Sequence, residues 1–154
     1  MLISRIISFF KYNLKTDKNE IVIKQIQETL SKEFKSFEMS VDDLMDSDII
    51  IFYCHDNGKL IYCAINEDVL IDSKHIVNFA FSWLDPDYRG NGIGKQFFGK
   101  RLRYFSKKGF DKFTMKVRLK NQISLGIAKH FWFIPVKYII YKGGDSGYFL
   151  FKQN

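Results

Sequence analysis

Between His75 and Arg118 the chain places a strand, a glycine-rich turn, an amphipathic helix and a second strand in direct succession, an order that few folds accept. Two strands joined through a helix of this length lie parallel, because antiparallel neighbours need only a short turn, and the crossover is right-handed. His75 to Leu84 (HIVNFAFSWL) is the first strand, ended by Asp85-Pro86-Asp87, since proline cannot continue the ladder. From Gly92 to Lys108, Ile93, Phe97, Phe98, Leu102 and Phe105 recur along one side. Lys95, Lys100, Arg101, Arg103 and Lys107 take the other side, and Gly109 stops the helix. Lys112 to Arg118 (KFTMKVR) supplies the second strand.

The flanks read as antiparallel. Asp17 with Glu20 signals the start of a helix on which Val22, Ile26, Leu30 and Phe34 follow at helical spacing, and Ser40 with Asp43 caps a short second helix ending near Met45. Ile49 to His55 and Leu60 to Asn66 form a hairpin around Asn57-Gly58. A two-residue loop there sets Asp56 opposite Lys59 and Cys54 opposite Ile61. Cys63 then shares a sheet face with Cys54 one diagonal step away, too far for easy bridging. Asn121 opens another helix running to about Phe131, with Pro135 closing it, and Val136 to Lys142 and Tyr148 to Lys152 pair around the segment Gly143 to Gly147. Met1 to Phe10 is too short to span a bilayer, lacks a small-residue cleavage site, and reads as a first strand. The expectation is one α/β domain over residues 1–154: a mixed, mostly antiparallel central sheet with one parallel crossover, flanked by about four helices.

Composition narrows the setting. The chain of 154 residues holds 24 Lys and Arg against 17 Asp and Glu, a net charge of +7, which favours a polyanionic partner such as coenzyme A, RNA or a membrane surface, or simply keeps a chain with 16 Phe and 8 Tyr in solution. Two free thiols suit a reducing compartment, and without a transmembrane run the expected location is the cytoplasm. No His or Cys cluster stands at ligand spacing, so no metal is expected.

The turn Arg89 to Lys95 (RGNGIGK) is compared with three phosphate-binding patterns. A dinucleotide fingerprint needs G-x-G-x-x-G at the start of a doubly wound sheet, whereas the glycines here are Gly90, Gly92 and Gly94. A P-loop needs four residues between its first Gly and its Gly-Lys, then Ser or Thr; here three residues separate Gly90 from Gly94-Lys95, and Gln96 follows. The remaining pattern is R-x-x-G-x-G on Arg89, Gly92 and Gly94. The plain alternative is a structural turn. Pro86 to Lys95 (PDYRGNGIGK), with Pro86, Tyr88, Arg89 and Gly90 as lead-in, resembles the GNAT acetyltransferase superfamily, and the likeness runs from the first helix to the final strands.

Glycines allow a diphosphate to approach the backbone, and the free N–H groups of a helix start donate to its oxygens without a metal. The resemblance implies that Arg89, Gly90, Asn91, Gly92, Ile93, Gly94 and Lys95 hold that diphosphate of acetyl-coenzyme A. It further implies that the two parallel strands splay, that backbone N–H groups around Trp83 and Leu84 polarise the thioester carbonyl, and that Asn121 contacts the pantetheine arm. Phe133 falls on the Phe of the family's usual Gly-Phe, whose Gly is replaced by Trp132. Family members often carry a Tyr seven residues after the Asn to protonate the leaving thiolate; here Ala128 stands there. No acidic residue lies on His75 to Leu84, so no catalytic base is fixed; Ser82, His75 and Tyr138 are candidates, with Asn78, Glu67 and His130 behind them. Each is also readable as packing or surface. Trp83 and Trp132 either shape an acceptor pocket or belong to the core, and the basic helix face, Lys108 included, either grips a phosphate or is solvated.

The resulting expectation is an N-acetyltransferase that moves an acetyl group from acetyl-CoA to a primary amine by direct attack in a ternary complex. Alternatives are a catalytically silent acyl-CoA-binding or interaction module, and an acetyltransferase acting on an RNA-linked amine. A homodimer is compatible with the sequence; no membrane partner is expected.

Overall fold

The computed structural model describes residues 12–154. The expected strand at Met1 to Phe10 lies outside the described residues. Helices α1 (Glu20–Glu33) and α2 (Val41–Met45) precede strands β1 (Ile49–Asp56), β2 (Lys59–Ile71) and β3 (Lys74–Leu84). A 3-10 turn at Pro86–Tyr88 leads into α3 (Ile93–Lys107), β4 (Lys112–Arg118), α4 (Gln122–His130), β5 (Ile134–Ile140) and β6 (Ser146–Gln153). The six strands form one sheet in the order β1-β2-β3-β4-β6-β5. Among the described strands only β3 and β4 run parallel, as the helical crossover requires; the other neighbours are antiparallel. The expected fold class is the observed one.

Each helix packs one face of the sheet. Helix α3 buries Ile93, Phe97, Phe98, Leu102 and Phe105, and α4 buries Ala128, in a cluster with Phe52, Tyr62, Ala64, Val77, Phe79, Phe113, Met115 and Leu150. On the other face Ile23, Ile26 and Leu30 of α1 and Leu44 of α2 meet Ile51, Tyr53, Cys63 and Ile65. Helix α1 is capped by Asn19, whose side chain accepts from the N–H groups of Ile21 and Val22, rather than by Asp17; Asp17 instead accepts from the Tyr53 hydroxyl. The buried stripe therefore includes Ile23, with Val22 and Phe34 at its margin. Helix α2 starts with the expected capping box of Ser40 and Asp43.

Bulges account for most departures from a strict two-residue period. The hairpin pairs Asp56 with Lys59 as expected, but a register shift at Cys54/His55 sets Cys54 opposite Tyr62 instead of Ile61. That slip of one residue moves Cys63 to the opposite face from Cys54, so the two thiols lie in different clusters, both free. Strand β2 runs past Asn66 to Ile71 and turns through Asp72 and Ser73, both at positive φ, into β3. Strand β5 starts at Ile134 with Pro135 inside it, where an edge strand tolerates a missing donor.

The bulge that matters for function is in β3. Ile65 faces Phe81 and Asn66 faces Phe79, which leaves Ala80 as the extra residue. Pairing of β3 with β4 covers Val77 to Phe79 and goes no further. A bulge bends its strand, so β3 turns away from β4 just where the ladder stops. The expected splay is present between Ala80–Leu84 and the end of β4.

Candidate active site

The splay opens beneath the glycine-rich turn. Asp85 follows β3 with its N–H on the Ile61 carbonyl, and its carboxylate accepts from the Asp87 N–H at 2.9 Å and from Lys59 Nζ at 2.9 Å. Those contacts hold the Asp85 carboxyl below its ordinary value, the Lys59 hydrogen bond being the largest cause. Tyr88 donates to Asp56 at 2.7 Å, which pushes its phenol up to about 12. The lead-in to the turn is thus tied to both strands of the β1–β2 hairpin beside its turn. Arg89 Nε donates back to the Leu84 carbonyl at 2.8 Å, closing the loop on the strand it leaves.

Gly90 and Gly92 have φ of 85° and 77°, a region that costs a residue with a side chain about 1–2 kcal/mol. Gly94 lies against Leu84: a Cβ added there would stand 3.7 Å from Leu84 Cδ2. Helix α3 begins at Gly92 with no side-chain cap, unlike α1, α2 and α4, which are capped by Asn19, Ser40 and Asn121. Its first N–H groups are open to an external acceptor, and the dipole favours an anion there. Arg89, Gly90, Asn91 and Lys95 are exposed around this start, with Ile93 buried below it. Asn121 Oδ1 caps α4 through the Ser124 N–H at 3.2 Å, which leaves its amide hydrogens as donors.

Not every candidate reaches the splay. His75 sits at the far end of β3 from the turn, 2.9 Å from Asp68. Tyr138 is on edge strand β5, its ring edge-on to Tyr148 at 5.9 Å. Asn78 bridges Glu67 at 3.0 Å and Thr114 at 3.2 Å in a row across β2, β3 and β4. His130 is exposed at the end of α4. Trp132 is 80% exposed, Trp83 packs against the α1–α2 face, and Phe133 is core beside Phe79 and Phe98. Ala128, at the expected tyrosine position, is buried. Ser82 is the candidate on the splayed segment, exposed on β3, with its Oγ 3.4 Å from the Tyr62 hydroxyl.

The residue misplaced by sequence reasoning is Arg101. Assigned to the basic face of α3, it is 1% exposed. Its Nη1 donates to Tyr62 at 3.1 Å and its Nη2 to Asn66 Oδ1 at 2.7 Å, while its guanidinium stacks 4.3 Å from the Phe79 ring centre. Among the described residues its Nε has no partner. The signal was present: 93, 97, 101 and 105 share a stripe at spacing four, so Arg101 lies between Phe97 and Phe105 on the buried side. The cationic face that remains exposed is Lys95, Arg103, Lys107 and Lys108, with Lys100 half-buried over Phe97.

A model of the Acetyltransferase (GNAT) family matches residues 23–131, more than half of the chain. The chain belongs to this family. An uncharacterized N-acetyltransferase of Methanocaldococcus jannaschii is 28% identical over 85 residues, 53% of this chain and 38% of the relative, so the match spans well under half of that protein. Among solved structures, one of the NatC complex bound to Gag peptide and CoA contains a chain that superposes with a TM-score of 0.79 at 15% identity, covering 93% of this chain and 98% of the other. The ribosomal-protein-S18-alanine N-acetyltransferase of Escherichia coli gives 0.75 at 16%, covering 92% and 93%. A spermidine N-acetyltransferase chimera that includes the Vibrio cholerae protein gives 0.74 at 16%, covering 92% and 96%. At such identities the likeness establishes the fold. Among the described residues no helix is long and apolar enough to cross a membrane, and no cluster of three or more His, Cys, Asp or Glu could hold a metal.

Proposed function

We propose that the chain transfers the acetyl group of acetyl-CoA to a primary amine by direct attack within a ternary complex. The observation that carries this reading is the uncapped start of α3 under a glycine turn, set at the mouth of the β3–β4 splay. Arg89, Gly90, Asn91, Gly92, Ile93, Gly94 and Lys95 receive the diphosphate through backbone N–H groups and nearby positive charge. The pantetheine arm follows the free edge of β3 past Leu84 and Trp83, whose neighbouring N–H groups polarise the thioester carbonyl, and the Asn121 amide donates to the arm. The amine then needs only a neutral nitrogen at contact distance and water to take its proton.

Calorimetry with acetyl-CoA tests the donor site. Wild-type protein binds; Arg89→Glu and Gly92→Glu lose binding while their circular dichroism stays native. No wild-type binding at millimolar acetyl-CoA removes the proposal. The similar structures include a protein bound to peptide, an alanine N-acetyltransferase and a spermidine N-acetyltransferase, so thiol release is measured over peptide and polyamine acceptors.

One observation favours a second reading, a silent acyl-CoA-binding module: Ala128 replaces the family's acid with a buried methyl group. Tight acetyl-CoA binding without thiol release over the whole amine panel selects this second reading.

A further inference from the structure

We propose that the Ser82 hydroxyl is the hydrogen-bond donor that receives the departing coenzyme A thiolate, held in that orientation by Tyr62 and Arg101. The inference rests on the reading of the splay as an acetyl-CoA cleft. Arg101 is buried among Phe79, Phe98 and Tyr62, and no carboxylate among the described residues pairs with it. A buried cation without a counter-ion is retained at a cost, which points to a use for its charge. Asn66 fixes it from the other side: Oδ1 accepts from Nη2, while Nδ2 donates to the Ile50 carbonyl at 3.1 Å.

A guanidinium has donors and no acceptor, so Tyr62 oxygen must accept from Arg101. The phenol keeps its own hydrogen, and Ser82 Oγ stands 3.4 Å away, placed as a donor to the Tyr62 oxygen, an order that rotation of the two hydroxyls can reverse. Either hydroxyl of such a pair is able to donate. Donation from Arg101 biases the order toward Arg101 to Tyr62 to Ser82, which frees the serine hydrogen to point outward. Contacts of this length tighten when charge develops at the end of the chain. Ser82 is exposed two positions before Leu84, about 7 Å along the strand from the residue that packs on Gly94. It therefore borders the path from the turn to the Ala80 bulge. Beyond that, Ala128 leaves α4 without the hydroxyl that would otherwise meet the sulfur, and Ser82 supplies one from β3.

In the step, the amine nitrogen forms a bond to the carbonyl carbon and the carbon–sulfur bond breaks with its electron pair remaining on sulfur. The Ser82 hydroxyl donates to that sulfur; the amine proton passes to solvent, and the thiolate takes a proton from solvent on release. Tyr62 and Arg101 are positioning residues. Cys63, beside Tyr62 on β2, feels the Arg101 charge, yet burial pushes its thiol up to about 12, so it stays neutral and does not cancel the field.

The test uses coenzyme A itself and needs no acceptor. Ultraviolet difference absorbance follows conversion of the bound thiol to thiolate against pH. On wild-type protein it titrates about one to two pH units below the free coenzyme, the size of one charge-assisted hydrogen bond. Ser82→Ala returns it to the free value, Ser82→Thr keeps it low, and Tyr62→Phe, which preserves the ring and leaves Ser82 in place, moves it back most of the way. Equal titration in wild type and Ser82→Ala, with coenzyme A binding intact, overturns this proposal and leaves the donor site standing. Absence of coenzyme A binding overturns both.

Discussion

Gly92, Gly94 and Gly147 carry different constraints, although a sequence shows three identical letters. Gly92 has φ of 77° with nothing within 4 Å of an added Cβ, so alanine there meets backbone strain and no clash. Gly94 has ordinary φ and room for a methyl group against Leu84. At Gly147 an added Cβ would lie 2.3 Å from the Val117 carbonyl, inside the β4–β6 ladder. In thermal unfolding Gly94→Ala is close to neutral, Gly92→Ala loses about 1–2 kcal/mol, and Gly147→Ala loses more than either because backbone must move. Gly92→Ala also weakens acetyl-CoA binding by roughly tenfold, as the same strain reopens the turn. The thiols give a second residue-level expectation. Burial pushes Cys54 up to about 11 and Cys63 up to about 12, so both remain protonated at pH 8. Iodoacetamide should leave native protein unmodified and label both positions in urea, since the thiolate is the reactive species.

At the scale of elements, the glycine turn depends on a hairpin distant in sequence. Asp85 joins the two through Lys59 and the Asp87 N–H, and its side chain is nearly buried while Lys59 is half-exposed. Asp85→Asn should cost about 1 kcal/mol, the exposed partner limiting the value, and should weaken acetyl-CoA binding with little change in the far-ultraviolet spectrum. The pH dependence follows from the sign. The folded carboxyl lies below its ordinary 3.8, so its stabilisation is complete above that value and is lost as pH falls beneath it through the folded pKa. Acid titration of wild type below pH 4 should lose a component that Asp85→Asn lacks. The turn, its helix and the parallel crossover were legible in the sequence because Gly, Pro and a spacing-four apolar stripe act locally. The bulges at Cys54/His55 and Ala80 were not, since an extra residue leaves composition and hydropathy unchanged while reversing the faces. Arg101 was misplaced because its charge outweighed its position between Phe97 and Phe105.

Taken as a whole, the molecule is asymmetric about its sheet. Helices α3 and α4 close one face, with Phe79 at its centre: the rings of Phe98, Phe105, Phe113 and Phe133 stand 5.0, 6.0, 6.1 and 6.1 Å from it, and Arg101 stacks on it. On the other face α1 and α2 pack over β1, β2 and the bulged part of β3, and Phe149 of β6 is only half-buried between Lys116 and Lys137, both exposed. Two phenylalanines in one sheet therefore differ in what they hold. Phe79→Ala empties the centre of an aromatic cluster and leaves Arg101 without its ring, so it should cost about 3–5 kcal/mol. Phe149→Ala removes a ring already in contact with water and should cost about 1 kcal/mol or less. Urea unfolding of the two variants measures the difference. Because β3 begins its turn away from β4 immediately after Phe79, a loss there should also loosen the cleft: coenzyme A affinity should fall in Phe79→Ala even under conditions where the protein remains folded, and hold in Phe149→Ala. Equal unfolding midpoints for the two variants would mean that the splay is supported by strand pairing alone, without the aromatic cluster behind it.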